Sequence, residues 1–290
     1  YSASNENTSM IMRQLLRLVL ALGIMVIFTF VPPHKYKRWT PWLYAIGLAL
    51  LVAVMLMGKI GKGAQRWLDL GFFRFQPSEI MKLAVPMMAA WYLDRKTLPI
   101  DFKSLTMVSL FIFIPTLLIA KQPDLGTAIM VAMSGLCVIF LAGIRMRIVL
   151  LLTIAVGLAA PLMWHIMHDY QKQRIITLIN PEQDPLGTGY HIIQSKIAIG
   201  SGGGFGKGWL AGSQSHLNFL PEHATDFIFA VSGEEFGFAG SLILILLIVL
   251  VSLRSLHIAR EAQTTYTRLL AASLSMTFFF SAFVNMGMVI

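Results

Sequence analysis

A single cysteine, Cys137 in "SGLCVIF", is all that this 290-residue chain contains. An internal disulfide and a multi-cysteine metal site are thereby excluded, and the thiol reads as a packing residue at lipid depth. Charge is scarce too: 13% of residues are charged against 56% hydrophobic, and mean hydropathy is +0.70. That is too little polar surface to cover a soluble globule of this length. Acids are the scarcest charges, 14 against 23 basic residues, for a formal charge of +9. The excess does not argue for nucleic acid, because the basic residues sit singly or in twos and threes between apolar runs. Membrane lipids, through anionic headgroups or phosphate, are the expected partner. Internal repeats and low-complexity segments are lacking as well.

What the chain has is apolar length. Runs of about 16 to 27 residues recur, each near the ~20 that a helix needs to cross a bilayer. They are continuous rather than alternating, which favours helices over the strands of a barrel. Reading between charges predicts about eight spans, near 11–31, 40–58, 77–94, 105–120, 124–143, 147–167, 226–253 and 267–290. The expected fold is all-α, a polytopic transmembrane helical bundle forming a single domain over 1–290, with one large extracytoplasmic loop at 168–225. The connections "PPHKYKRW", "DRKTLPIDFK", "GIRMR" and "RSLHIAREAQTTYTR" share one side and carry eleven of the 23 Lys and Arg, which makes that side cytoplasmic. Most other basic residues fall opposite, in "GKIGKGAQRWLDLGFFR" and the long loop, where "YHIIQSKIAIG" reads as a short interfacial helix. A chain that opens on "YSASNENTS" and stops inside an apolar run reads as a fragment.

Three spans entering from the outer side begin alike: "FQPSEIMK" with Glu79 and Lys82, "AKQPDLGT" with Asp124, and "LPEHATDF" with Asp226. Each places a proline at or just before a helix start and an acid in or near the first turn. Such N-termini suit a phosphate, and the acids could handle a proton or a cation. An acid in a first turn also relieves the helix dipole with no function attached, and Asp124, directly after Pro123, reads first as an N-cap. Glu79 and Lys82 are three apart, one to two turns inside a span, and point to a polar cavity. Asp226 is followed at i+3 and i+4 by Phe229 and Ala230, so it is either catalytic or dipole-compensating. The tract "GSGGGFGKGW" is not a nucleotide loop, since Gly208 stands where a Mg²⁺-binding Ser or Thr belongs; it reads as a flexible or phosphate-contacting loop. The histidines lack metal-ligand spacing, and Glu234 and Glu235 read as a buried tether to a neighbouring helix.

The segments "KGAQRWLDLG", "RFQPSEIMKLA", "KQPDLGTA", "MHDYQKQRI", "DPLGTGYHIIQSKIAIGSGG" and "FLPEHATDFIFAV" together resemble the SEDS (shape, elongation, division and sporulation) membrane glycosyltransferases over nearly the whole chain. "MHDYQKQRI" and "DPLGTGYH" favour the elongation branch over the division branch. The resemblance implies a bundle of about ten spans in the bacterial cytoplasmic membrane that polymerises lipid II on the outer side. Its implied partners are undecaprenyl-pyrophosphate-linked glycan and a class B penicillin-binding protein. Against that pattern the chain lacks most of the first span, the last span and the loop before it. Asp226 matches the family's essential aspartate, and Glu79 and Lys82 its paired acid and base.

The expected chemistry is attack of a sugar hydroxyl on an anomeric carbon as a polyprenyl pyrophosphate departs, forming a β-1,4 bond with inversion. Asp226 is the candidate general base. Arg66, Arg174, Lys196 and Lys207 are candidates for the pyrophosphate by charge and side, and Asp124 for an accessory acid. Mg²⁺ or Mn²⁺ is the candidate cofactor, with Asp226 and Glu79 as candidate ligands, and no nucleotide is required. Intramembrane Glu and Lys with proline-broken helix starts also describe a lipid flippase or ion-coupled transporter. A scaffold for the penicillin-binding protein is a third reading.

Overall fold

The computed structural model describes residues 8–61, 64–69, 74–144, 188–212 and 227–289, with scattered positions between 146 and 180. In chain order the described elements are α1 (Thr8–Thr29), α2 (Pro33–Met57), β1 (Lys59–Gly61), β2 (Ala64–Asp69), β3 (Arg74–Phe75), α3 (Pro77–Leu93), α4 (Phe102–Lys121), α5 (Leu125–Leu141), α6 (Thr188–Gly202), α7 (Ile228–Arg260) and α8 (Thr265–Gly287). Helices α1, α2, α4, α7 and α8 are long and apolar enough to cross a membrane. Helices α3 and α5 have 17 residues each, which at the α-helical rise is ~26 Å, close to the hydrocarbon thickness. The chain is an all-α, multi-pass membrane protein. The span expected at 147–167 falls largely outside the described residues.

Two boundaries differ from the hydropathy reading for one physical reason. Helix α2 starts at Pro33 and α7 runs to Arg260, so "HKYKR" and "RSLHIAR" are helical and not connections. Hydropathy marks where a segment leaves lipid, whereas a helix continues until its backbone is interrupted. Pro33, at the first helical position of α2, opens the helix before the apolar run begins.

The chain forms two compact units. One comprises Phe30–Leu151 and Val251–Phe280. Its core is built where α2, α3, α4 and α5 meet, with Leu51, Met81, Val85, Val108, Ile112, Val131 and Val138 fully buried. Gly135 lets α5 approach closely, because a Cβ there would run into Ile112. At one end of this unit the Asp94 carboxylate accepts from Lys37 Nζ and from the Tyr266 amide, the latter at 2.8 Å. Tyr266, itself buried, shares a 2.9 Å hydroxyl hydrogen bond with Thr40. An acid at the start of α8 favours its helix dipole, so this group staples α2, α3 and α8 together.

At the other end of the same unit lies an antiparallel sheet of order β1-β2-β3, pairing Gly61 with Ala64 and Leu68 with Phe75. The sequence reading had no strand here. The segment is short and too polar to register among apolar runs.

The second unit comprises Tyr1–Thr29, Leu152–Leu250 and Ser281–Ile290. Helix α6 confirms the short helix expected in the long loop. It docks through Ser195, whose hydroxyl donates to the Val289 carbonyl at 2.9 Å, and through Ala198, buried with Phe229, Ala230 and Val289.

Candidate functional site

In the first unit, β2, the start of α3 and the start of α5 meet at one place. Asp124 is the N-cap of α5: its Oδ1 accepts from the Thr127 amide at 3.3 Å. Its Oδ2 accepts from Gln76 Nε2 at 3.0 Å, and Gln76 is itself the residue before α3. Arg66, on β2, donates through Nη2 to the Pro123 carbonyl at 2.6 Å. Its Nε is buried 3.8 Å from Asp124 Oδ2, too far for a hydrogen bond, and has no hydrogen-bond partner among the described residues. The bland reading of Asp124 as a cap is therefore met, and its side chain also ties three chain segments together. Gln76 was not foreseen; its signal was its place just before the Pro77 helix start.

One turn into α3, Lys82 Nζ donates to both Glu79 oxygens, at 2.8 and 3.0 Å. Glu79 lies in the first turn, and the pair is not sealed: the Glu79 side chain is 54% exposed and that of Lys82 28%. Helix α3 begins at Pro77, as the hydropathy reading placed it, so Glu79 sits in the first turn and Lys82 in the second. The result is an ion pair left partly uncovered by the rest of the chain, set beside the positive end of α3.

Replacing Asp124 by Ala removes the α5 cap and the charge facing Arg66. We expect a loss of about 1–3 kcal/mol in stability, read as a lowered melting temperature in detergent. Asp124→Asn keeps an accepting oxygen and should lose less than half as much.

In the second unit, Lys207 Nζ donates to Glu234 Oε1 at 2.7 Å; Glu234 is fully buried and the Lys207 side chain 30% exposed. The buried tether expected of Glu234 includes an ion pair to the loop after α6. That loop is not free: its backbone is bonded to α7 around Gly237. Lys196 lies exposed on α6. A hollow of about 480 Å³ opens beside the start of α7, lined chiefly by apolar groups such as Trp209, Phe229, Leu244 and Met286, with Glu235 and Asn285 among them. Asp226 and Arg174 lie outside the described residues; α7 begins two positions after Asp226. Among the described residues there is no group of three or more His, Cys, Asp or Glu placed to hold a metal ion.

Comparison with known proteins is extensive. The FtsW/RodA/SpoVE model, described as cell cycle protein, matches residues 1–290. The peptidoglycan glycosyltransferase MrdB of Escherichia coli K12 is 53% identical over 290 residues, covering 100% of this chain and 78% of that protein. The probable peptidoglycan glycosyltransferase FtsW of Trichlorobacter lovleyi is 39% identical over 261 residues, 88% of this chain and 67% of its own. Among solved structures, one from a study of polymerization and crosslinking by a peptidoglycan synthase complex superposes with a TM-score of 0.83 at 30% identity, over 98% of this chain and 80% of that one. The rod shape determining protein RodA of Thermus thermophilus gives 0.68 at 26% identity, over 99% and 77%.

Proposed function

This chain belongs to the FtsW/RodA/SpoVE family of cell cycle proteins and is a peptidoglycan glycosyltransferase, and on that premise we propose that it polymerises lipid II during cell elongation with Asp226 as general base. Its place is the bacterial cytoplasmic membrane, with the Glu79 end of α3 facing outward. Its partner is a class B penicillin-binding protein that crosslinks the strands. The structural observation supporting the reading is the Glu79–Lys82 pair, an acid and base left partly uncovered at the start of a buried helix.

The chemistry follows from what each group can offer. A sugar hydroxyl of the acceptor attacks the anomeric carbon of the donor. The new C–O bond forms as the bond to the polyprenyl pyrophosphate breaks, and the hydroxyl proton passes to Asp226. General-base help of this kind is worth about 10²–10⁴-fold. Charge grows on the departing pyrophosphate, and cations placed for it lower the barrier. Lys82 and Arg66 are the candidates in the first unit, Lys196 in the second, and Arg174 is a further candidate. Asp124 is the accessory acid only if it can leave its cap, which its three-way anchorage opposes.

Lipid II incubated with the purified full-length protein and its partner should give a ladder of glycan polymer on a gel, and no polymer under any condition would refute the reading. The pyrophosphate makes Mg²⁺ or Mn²⁺ the proposed cofactor, with Asp226 and Glu79 as candidate ligands; both Glu79 oxygens are engaged by Lys82. Exhaustive chelation is expected to lower polymer about tenfold or more, restored by added Mg²⁺ or Mn²⁺. Unchanged polymer after chelation would remove the metal.

A further inference from the structure

We propose that Gln76 and Asp124 are positioning residues for the Glu79–Lys82 pair: their hydrogen bond sets where α3 starts against α5, and with it where the pair stands. The inference rests on Lys82 serving the departing pyrophosphate. It begins with what Gln76 does not do. The residue before a helix is most often Ser, Thr, Asp or Asn, whose short side chain accepts from an amide of the first turn. Gln76 holds that place before α3 and makes no such cap. Its side chain reaches across to α5 instead, where Nε2 donates to Asp124 Oδ2 at 3.0 Å.

Asp124 serves both helices at once. Its Oδ1 caps α5 through the Thr127 amide at 3.3 Å. A cap needs one oxygen, so the second, turned to Gln76, is what capping leaves unexplained. Asp124 is buried, and Arg66 Nη2 holds the neighbouring Pro123 carbonyl at 2.6 Å, which fixes the acid in place from the β2 side.

From Gln76 the contacts run without a gap to the lysine. The Gln76 carbonyl accepts from the Glu79 amide at 3.1 Å, and the Glu79 carboxylate accepts from Lys82 Nζ at 2.8 and 3.0 Å. With the Glu79 side chain 54% exposed, the pair inherits its position from the backbone of the first two turns and not from enclosing side chains. Further along α3, Met81 and Val85 are buried in one core with Val131 and Val138 of α5. Apolar attraction of that kind is non-directional. A hydrogen bond is confined to about 2.7–3.2 Å between N and O, so the Gln76–Asp124 bond is the directional tie between the two helix starts. A cation meant for a developing charge depends on such a tie, since displacement by about 1 Å can cost about 100-fold in rate.

The test uses the full-length enzyme with its penicillin-binding partner, lipid II as probe, and kcat and KM expressed per folded molecule. Gln76→Glu sets carboxylate against carboxylate and breaks the bond. Adding Asp124→Asn exchanges amide and acid, which restores the bond, keeps a capping oxygen on α5 and leaves the net charge beside Arg66 unchanged. Gln76→Glu is expected to lose about tenfold or more in kcat with KM within about twofold, and the double variant to recover most of that loss. Gln76→Leu removes the bond without adding charge, covers the case in which Gln76→Glu fails to fold, and should lose kcat in the same direction. Because the effect acts through Lys82, Gln76→Leu placed on Lys82→Met should cost less than about twofold further. Wild-type kcat per folded molecule in Gln76→Leu, a double variant no faster than Gln76→Glu, or losses that multiply in full on Lys82→Met each overturn the inference. Lys82→Met alone separates the two readings. Full activity there overturns the role of Lys82 and the positioning with it, whereas an impaired Lys82→Met beside a fully active Gln76→Leu overturns the positioning alone.

Discussion

Asp226→Asn should abolish polymer, lowering turnover by about 10²–10⁴-fold while leaving the protein folded and bound to its partner. The amide is nearly the same size and shape as the carboxylate, so packing changes little. It cannot take a proton from a hydroxyl at neutral pH. A dipole-compensating Asp226 predicts something different, a stability loss of about 0.3–1 kcal/mol with turnover retained. The gel separates the two, because one reading removes polymer and the other only melts earlier. Abundant polymer from Asp226→Asn, at any pH, would end the base assignment and return Asp226 to a structural role.

Much of the fold was legible because lipid leaves a chain few choices. Continuous apolar runs require helices, and α1, α4, α5 and α8 fall close to where hydropathy placed them. Their partners were less legible. The Pro77 and Pro123 signals located two helix starts, but nothing in their spelling brings β2 between them. Glu79 and Lys82 were readable as a pair because i, i+3 spacing on a helix is a local rule. Gln76 with Asp124 joins residues 48 positions apart, and Lys207 with Glu234 joins residues 27 apart. Such contacts are set by how helices pack, which local periodicity does not encode. The glycine tract shows the difference: its composition suggested freedom, whereas its positive-φ glycines serve close backbone pairing with α7.

Lys82→Met should cost about 10²–10³-fold in turnover, the size expected for removing one preorganised charge from a developing anion, with a change in stability of less than about 1 kcal/mol. The asymmetry comes from exposure. The Glu79–Lys82 pair is not sealed by the rest of the chain, with the Glu79 side chain 54% exposed, and on the reading that it faces a watery cavity, solvent screening leaves it little to contribute to folding. A buried pair would behave otherwise, because losing one partner strands a desolvated charge at about 3–5 kcal/mol. Lys207 and Glu234 are nearer that case, and comparing the two pairs controls for loss of charge in general. Lys82→Arg retains the cation on a different geometry and should recover part of the rate, while Glu79→Gln frees Lys82 and should cost less than Lys82→Met. If Lys82→Met instead unfolds the protein while its melting curve follows that of Asp124→Ala, the pair belongs to the scaffold at the start of α3. If Lys82→Met is stable and fully active, no leaving-group charge rests on this lysine, and the load falls on Arg66, Arg174 or Lys196.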